Sequence, residues 1–255
     1  MTQFRSSPFL RNQLNTGQTL TRTTSCGRIG GNVPDWWGFG KEKWEEMKIL
    51  IAIPCMDTVY TDFMKSFVDL HKPEGTVYTV IKNSLIYNAR NTIAANAIKM
   101  GFDRVMWIDS DVIFEPDTLT RLSADMDKGY DAVTGVCFKR SLPTSPVLYD
   151  QLWWKTDGNV IDTGAHQMTD YPRGKLFPVA GMGFGCCMVS VDLLKRISDR
   201  YCTPFTPLLG MGEDIAFCWR AGQVGAKIAC DSGIMCGHIG TFVYNESLYW
   251  GKLEC

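Results

Sequence analysis

The chain has 255 residues, 45% of them hydrophobic and 21% charged, which supplies a full core for one large domain with room for an appendage. Its formal net charge is -1, so no overall positive field points to nucleic acid or an anionic membrane as the main partner. The longest apolar stretch, Val179 to Val191, is too short to cross a bilayer and is broken by Gly181, Gly183 and Gly185.

Residues 1–34 are rich in Ser, Thr, Asn and Gly and carry Arg5, Arg11, Arg22 and Arg28 with no acidic residue. That composition buries little, so residues 1–46 are expected to form an extended or flexible arm, with Trp36 and Trp37 as its anchors to the body. The arm lacks the apolar core of a secretory signal and is only weakly amphipathic, which argues against a transit peptide. The whole reads as a soluble, cytoplasmic protein whose folded domain spans residues 47–255.

From Lys48 onward, short apolar runs alternate with helical periods. Lys48–Pro54 (KILIAIP) reads as a buried parallel strand ended by proline. Thr58–His71 places Val59, Phe63, Phe67 and Leu70 at helical spacing, and Thr76–Ile81 is a β-branched second strand. Ser84–Met100 is a helix stopped by Gly101. Arg104–Ile108 (RVMWI) is a third strand that delivers Asp109-Ser110-Asp111 at its carboxyl end. A helix over Asp117–Lys128, opened by Pro116, and a strand over Asp131–Phe138 follow.

The second half is less regular. Hairpin-like pieces fall around Val147–Trp154 and Asn159–Thr163, and helices are expected over Val191–Arg200 and Glu213–Ala221. Alternating strands and helices predict an α/β fold with a mixed, mainly parallel central sheet covered on both faces. Ligands of such sheets bind beyond the carboxyl ends of the strands, where Asp109 and Asp111 fall.

Two carboxylates one residue apart at a strand end suit Mg²⁺ or Mn²⁺, hard cations commonly shared with phosphate oxygens. A polar turn explains the same Asp-x-Asp almost as well. His238, in Cys236-Gly237-His238-Ile239-Gly240, has small neighbours that let a ligand approach, and its imidazole would complete a metal site with the two aspartates. On local sequence alone a structural histidine is the commoner case. Gly212-Glu213-Asp214 opens an apolar helix, and the pair serves either to cap it or to present a carboxylate to an acceptor hydroxyl. Lys139-Arg140 reads as a solvated loop pair or as a contact for phosphates, and Trp153 and Trp154 as packing or as a sugar platform. The ten cysteines form no CxxC pair and read as buried thiols rather than disulfides or a zinc site.

Together these elements resemble the GT-A glycosyltransferases, particularly family-2-like enzymes. The elements are the strand ending at Pro54, Asn88-Ala89-Arg90-Asn91, Asp109-Ser110-Asp111, Gly181–Gly185, Gly212-Glu213-Asp214 and His238. The resemblance covers about residues 47–240. It implies a GT-A sandwich and a metal-dependent transfer of a hexose-like sugar from a nucleotide diphosphate sugar, UDP-linked by preference, to a hydroxyl. Pro54, Arg90, Asn91, Asp109, Gly181 and Gly183 would then contact the donor. Asp109, Asp111 and His238 would hold Mn²⁺ or Mg²⁺. Asp214 would be the catalytic carboxylate, with Glu213 next to it. No long C-terminal membrane segment of the kind many family-2 enzymes carry is present, which argues against a lipid-linked acceptor. A nucleotidyltransferase, a non-catalytic protein that kept the fold, and a nucleic-acid acceptor reached through the basic arm are the competing readings.

Overall fold

A computed structural model describes residues 21–22, 47–240 and 243–251. The strands of its main sheet are β1 (Thr21–Arg22), β2 (Ile49–Cys55), β3 (Val77–Lys82), β4 (Arg104–Ile108), β5 (Val112–Phe114), β6 (Ala132–Val136), β9 (Leu176–Pro178), β11 (Cys186–Ser190), β12 (Ile228–Ile239) and β13 (Val243–Tyr244). A smaller sheet holds β7 (Leu148–Asp157), β8 (Val160–Gln167) and β10 (Gly181–Met182). The helices are α1 (Thr61–Asp69), α2 (Ile86–Met100), α3 (Thr118–Met126), α4 (Val191–Tyr201), α5 (Glu213–Gln223) and α6 (Glu246–Tyr249).

The main sheet runs β1-β3-β2-β4-β11-β6-β12-β13. Strands β3, β2 and β4 are parallel to one another, and so are β6 and β12. Strand β11 runs antiparallel to both β4 and β6 and joins the two groups. Its residues Cys186–Ser190 face Ile108–Arg104 on one side, and Cys187–Val189 face Thr134–Ala132 on the other. The result is the mixed, mainly parallel α/β sheet that the alternating pattern predicts. Of the expected arm, Thr21–Arg22 pair antiparallel with Tyr78–Val77 at the sheet edge, and Trp36 and Trp37 lie outside the described residues.

Period-2 alternation splits the core between the two faces. Leu50, Ala52, Val105, Trp107, Cys187 and Val189 pack beneath α2, α4 and α5. Ile49, Ile51, Ile53, Met106, Ile108 and Met188 pack beneath α1 and α3. Helix α2 ends where the sequence says it should: Gly101 adopts φ 66° and its N–H bonds the Ala97 and Ile98 carbonyls. Helix α4 is capped by Ser190, whose hydroxyl oxygen accepts from the Leu193 N–H at 3.1 Å. No helix among the described residues is long and apolar enough to cross a membrane.

Trp107 is wholly buried, with ring centroids 6.1 Å from Phe184 and 5.1 Å from Phe205. Trp107→Ala is expected to cost about 3–5 kcal/mol, read as a lower midpoint in urea titration. Among the described residues Cys137, Cys186, Cys187, Cys218, Cys230 and Cys236 are buried free thiols.

Strands β11 and β12 are absent from the sequence reading. The glycines at 181, 183 and 185 mask the start of β11, and Asp231, Ser232, Gly233 and Gly237 dilute the apolar signal of β12. Both are nevertheless buried along most of their length, because the sheet covers them on both faces.

Candidate active site

Strand β4 hands Asp109 to the carboxyl edge of the sheet, where its N–H donates to the Gly185 carbonyl at 2.9 Å. Arg90 of α2 reaches it from below: Nη2 donates to Asp109 Oδ1 at 2.9 Å, and Nη1 lies 3.8 Å from Glu213 Oε1 of α5. The Arg90 side chain is only 3% exposed and lies over the Phe184 ring at 5.0 Å. One buried guanidinium therefore joins the strand-end aspartate to the first turn of a helix distant in sequence. Burial pushes the Asp109 carboxyl up from its ordinary value; Arg90 opposes that rise, while Asp111 and Glu213 add to it.

Asp111 sits beyond the bend. The Ile239 N–H donates to its carbonyl at 2.7 Å, tying it to β12. Its Oδ1 lies 3.4 Å from His238 Nε2, and its Oδ2 accepts from Arg140 Nη1 at 2.7 Å. On the far side of the imidazole, Nδ1 lies 2.9 Å from the Phe138 carbonyl, which can only accept. That contact keeps a proton on Nδ1, while Nε2 faces Asp111 and can donate to it only when the ring is charged. Burial opposes ionisation of Asp111, but the hydrogen bond and charge of His238, with the charge of Arg140, hold the carboxyl below its ordinary value. Burial likewise opposes the charge on His238, and Asp111 and the Phe138 carbonyl outweigh it and raise the imidazole.

Glu213 and Asp214 open α5 after the tight turn Leu208–Met211, where Gly210 adopts φ 75°. Asp214 Oδ1 accepts from the Ile215 N–H at 2.7 Å. Burial, and then the neighbouring Glu213 charge, raise the Asp214 carboxyl; the Ile215 N–H and Arg90 pull the other way. The α5 N-terminus alone would have held that carboxylate low, so its burial decides the sign.

The remaining residues suggested by the sequence fall as follows. Pro54 is buried at the carboxyl end of β2, beside Ile81. Asn91 is engaged with the loop before α5: its Oδ1 accepts from the Phe205 N–H at 2.8 Å and its Nδ2 donates to Thr206 at 3.4 Å. Gly181 and Gly183 are buried against β7, and a Cβ on Gly183 would come within 2.9 Å of Val147 Cγ1. Trp154 packs on Trp219 with centroids 5.5 Å apart. The structure thus brings Asp111 and His238 together, and separately Asp109, Arg90 and Glu213. The sequence gives no sign of the Phe138 carbonyl that orients His238, because a backbone group leaves no residue-type signal.

Among the described residues no group of three His, Cys, Asp or Glu side chains is placed to hold a metal by itself. Asp111 and His238 still fit one. The imidazole already carries its proton on the far nitrogen, the arrangement a metal-binding histidine needs, and carboxylate with imidazole suits Mn²⁺. Such ions commonly complete their shell with phosphate and water.

A mixed sheet with helices on both faces, an aspartate pair at the end of a central strand and a carboxylate-headed helix beside it match the GT-A arrangement that the sequence resembles. Residues 59–198 match glycosyl transferase family 2, more than half of the chain, and the protein belongs to that family. By family it is a glycosyltransferase, which sets aside the nucleotidyltransferase reading.

Among solved structures, A197 from STIV matches over 76% of this chain and 86% of its own, with a TM-score of 0.56 and 18% identity. GalNAc-T7, solved with UDP, GalNAc and Mn²⁺, matches over 76% of this chain with a TM-score of 0.53 and 12% identity. This chain spans only 44% of GalNAc-T7. No curated protein sequence matches it.

Proposed function

We propose that the protein moves a hexose-like sugar from a UDP-linked donor to an acceptor hydroxyl, with Mn²⁺ or Mg²⁺ held by Asp111 and His238 and with Asp109 beside the donor. The observation that carries this reading is Arg90, 2.9 Å from Asp109 and 3.8 Å from Glu213, which sets the donor-side aspartates beside the helix that opens with Glu213-Asp214. The GalNAc-T7 structure contains UDP and Mn²⁺, and these are the first candidates for a chain of the same fold. The catalytic unit in this reading is residues 47–255, with residues 1–46 an appended arm.

When bound, the cation supplies charge neutralisation at the leaving diphosphate. The chain's own residues do the rest. Arg90 orients Asp109, the Phe138 carbonyl orients His238, and Asp214 takes the acceptor proton with Glu213 beside it.

A thermal-shift series of nucleotide sugars with and without Mn²⁺ tests the reading, because a ligand of the native state raises its apparent stability by mass action. The expected result is a shift with UDP or a UDP-sugar that needs the cation. Asp111→Ala should abolish the Mn²⁺-dependent part while the unliganded melting temperature stays close to wild type. An Asp111→Ala protein that still responds to UDP only when Mn²⁺ is present would remove Asp111 from the metal site.

A further inference from the structure

Both oxygens of the Asp111 carboxylate face cation-forming groups: His238 Nε2 at 3.4 Å from Oδ1 and Arg140 Nη1 at 2.7 Å from Oδ2. The two partners of the second contact differ in freedom, since the Arg140 side chain is 47% exposed and that of Asp111 only 18%. The loop beneath Arg140 is tied down. The Lys139 N–H donates to the Ser145 carbonyl at 2.9 Å, Thr144 Oγ1 donates to the Lys139 carbonyl at 2.7 Å, and Lys139 Nζ donates to Gln167 at 3.0 Å. The Arg140 stem lies against Gly240, where an added Cβ would sit 3.4 Å from Arg140 Cδ. The loop is thus anchored while the guanidinium projects to the surface.

A divalent cation on Asp111 and a guanidinium on the same carboxylate repel each other at close range. A guanidinium displaced from a carboxylate is well matched to phosphate, which takes the same planar fork of donors. We propose that Arg140 is an exchangeable counter-ion: it occupies Asp111 in the donor-free protein, yields that carboxylate to the divalent cation, and turns to the diphosphate of the nucleotide sugar. The inference rests on the donor reading above. It makes cation and nucleotide bind cooperatively, since each removes an obstacle to the other.

The test is calorimetric titration of the full chain with Mn²⁺ alone, and then with UDP in saturating Mn²⁺, for wild type, Arg140→Met and Arg140→Lys. Met keeps an apolar stem against Gly240 and removes the charge. The expected result is opposite in sign for the two ligands. Arg140→Met binds Mn²⁺ alone several-fold more tightly than wild type, and binds UDP about tenfold more weakly, the loss of one charge-assisted contact. Arg140→Lys, which keeps the charge, returns Mn²⁺ affinity to about the wild-type value. Equal or weaker Mn²⁺ binding by Arg140→Met, or unchanged UDP binding, overturns the exchange while leaving the donor reading intact. A wild-type protein that binds neither Mn²⁺ nor UDP overturns the donor reading and the exchange with it.

Discussion

Asp214→Asn is expected to bind donor and cation as the wild type does and to turn over at least about a hundredfold more slowly, the pattern of an interaction made only in the transition state. An acceptor hydroxyl is a poor nucleophile, and its proton must leave as the new bond forms. Asp214 sits in the first turn of α5, and burial with the Glu213 charge raises its carboxyl above the ordinary 3.8. A carboxylate raised in this way holds a proton better while remaining an ionised base above its new value. The sign for activity follows: the base must be ionised, so kcat/KM falls as pH drops through the raised value, and the acid limb lies above 3.8. The sign for stability is the reverse, with Asp214 favouring the fold at low pH and losing that contribution as pH rises through its folded value. Preserved turnover with lost donor binding would instead make Asp214 a sugar-positioning group. A dead Glu213→Gln beside a normal Asp214→Asn would exchange the roles of the two neighbours.

Arg90→Met should damage stability and turnover together. The substitution leaves Asp109 and Glu213 facing each other across a site emptied of its cation. Removing one partner of a buried ion pair costs about 3–5 kcal/mol in general. The low end applies here, because the side chains of Asp109 and Glu213 stay 28% and 21% exposed and water solvates part of the charge left behind. Urea titration reads the stability, and kcat is expected to fall about a hundredfold or more as α5 loses its register with β4. Arg90→Lys keeps a charge but not the fork, so it should recover stability more fully than rate. Full activity in Arg90→Met would show that α5 is held by its apolar packing alone.

The sequence reaches the local elements of this site more readily than the contacts between them. Strand β4 spans Arg104–Ile108 as its apolar run predicts, and Asp109 and Asp111 follow at the sheet edge because a parallel strand must end there. The end of α2 is legible for a similar reason, since a glycine after an apolar period is a chemical stop signal. Long-range partnerships are a different matter. Arg90 reads as a donor contact from its place in a motif, yet the fold buries it under Asp109 and gives its charge to two carboxylates. Asn91 spends its amide on the backbone and hydroxyl of residues 205–206. Neither outcome has a local signature, because the groups concerned meet only after the sheet has formed. The antiparallel direction of β11 is equally hidden, as a short apolar run reads the same way in either direction.

That strand also orders events in time. Strand β11 separates β4 from β6, although β6 precedes it in the chain and the β7–β8 hairpin lies between. During synthesis the first half therefore emerges with a gap at its centre, and β4 and β6 each wait with an unpaired edge. The gap can close only after residue 190 has left the ribosome, and β12 adds beside β6 later still. Pairings of such sequence separation are slow to form and leave sticky strand edges in the interim. The nascent chain is most vulnerable to aggregation while the hairpin is being made, and the strand that closes the gap also positions Gly185 to hold Asp109.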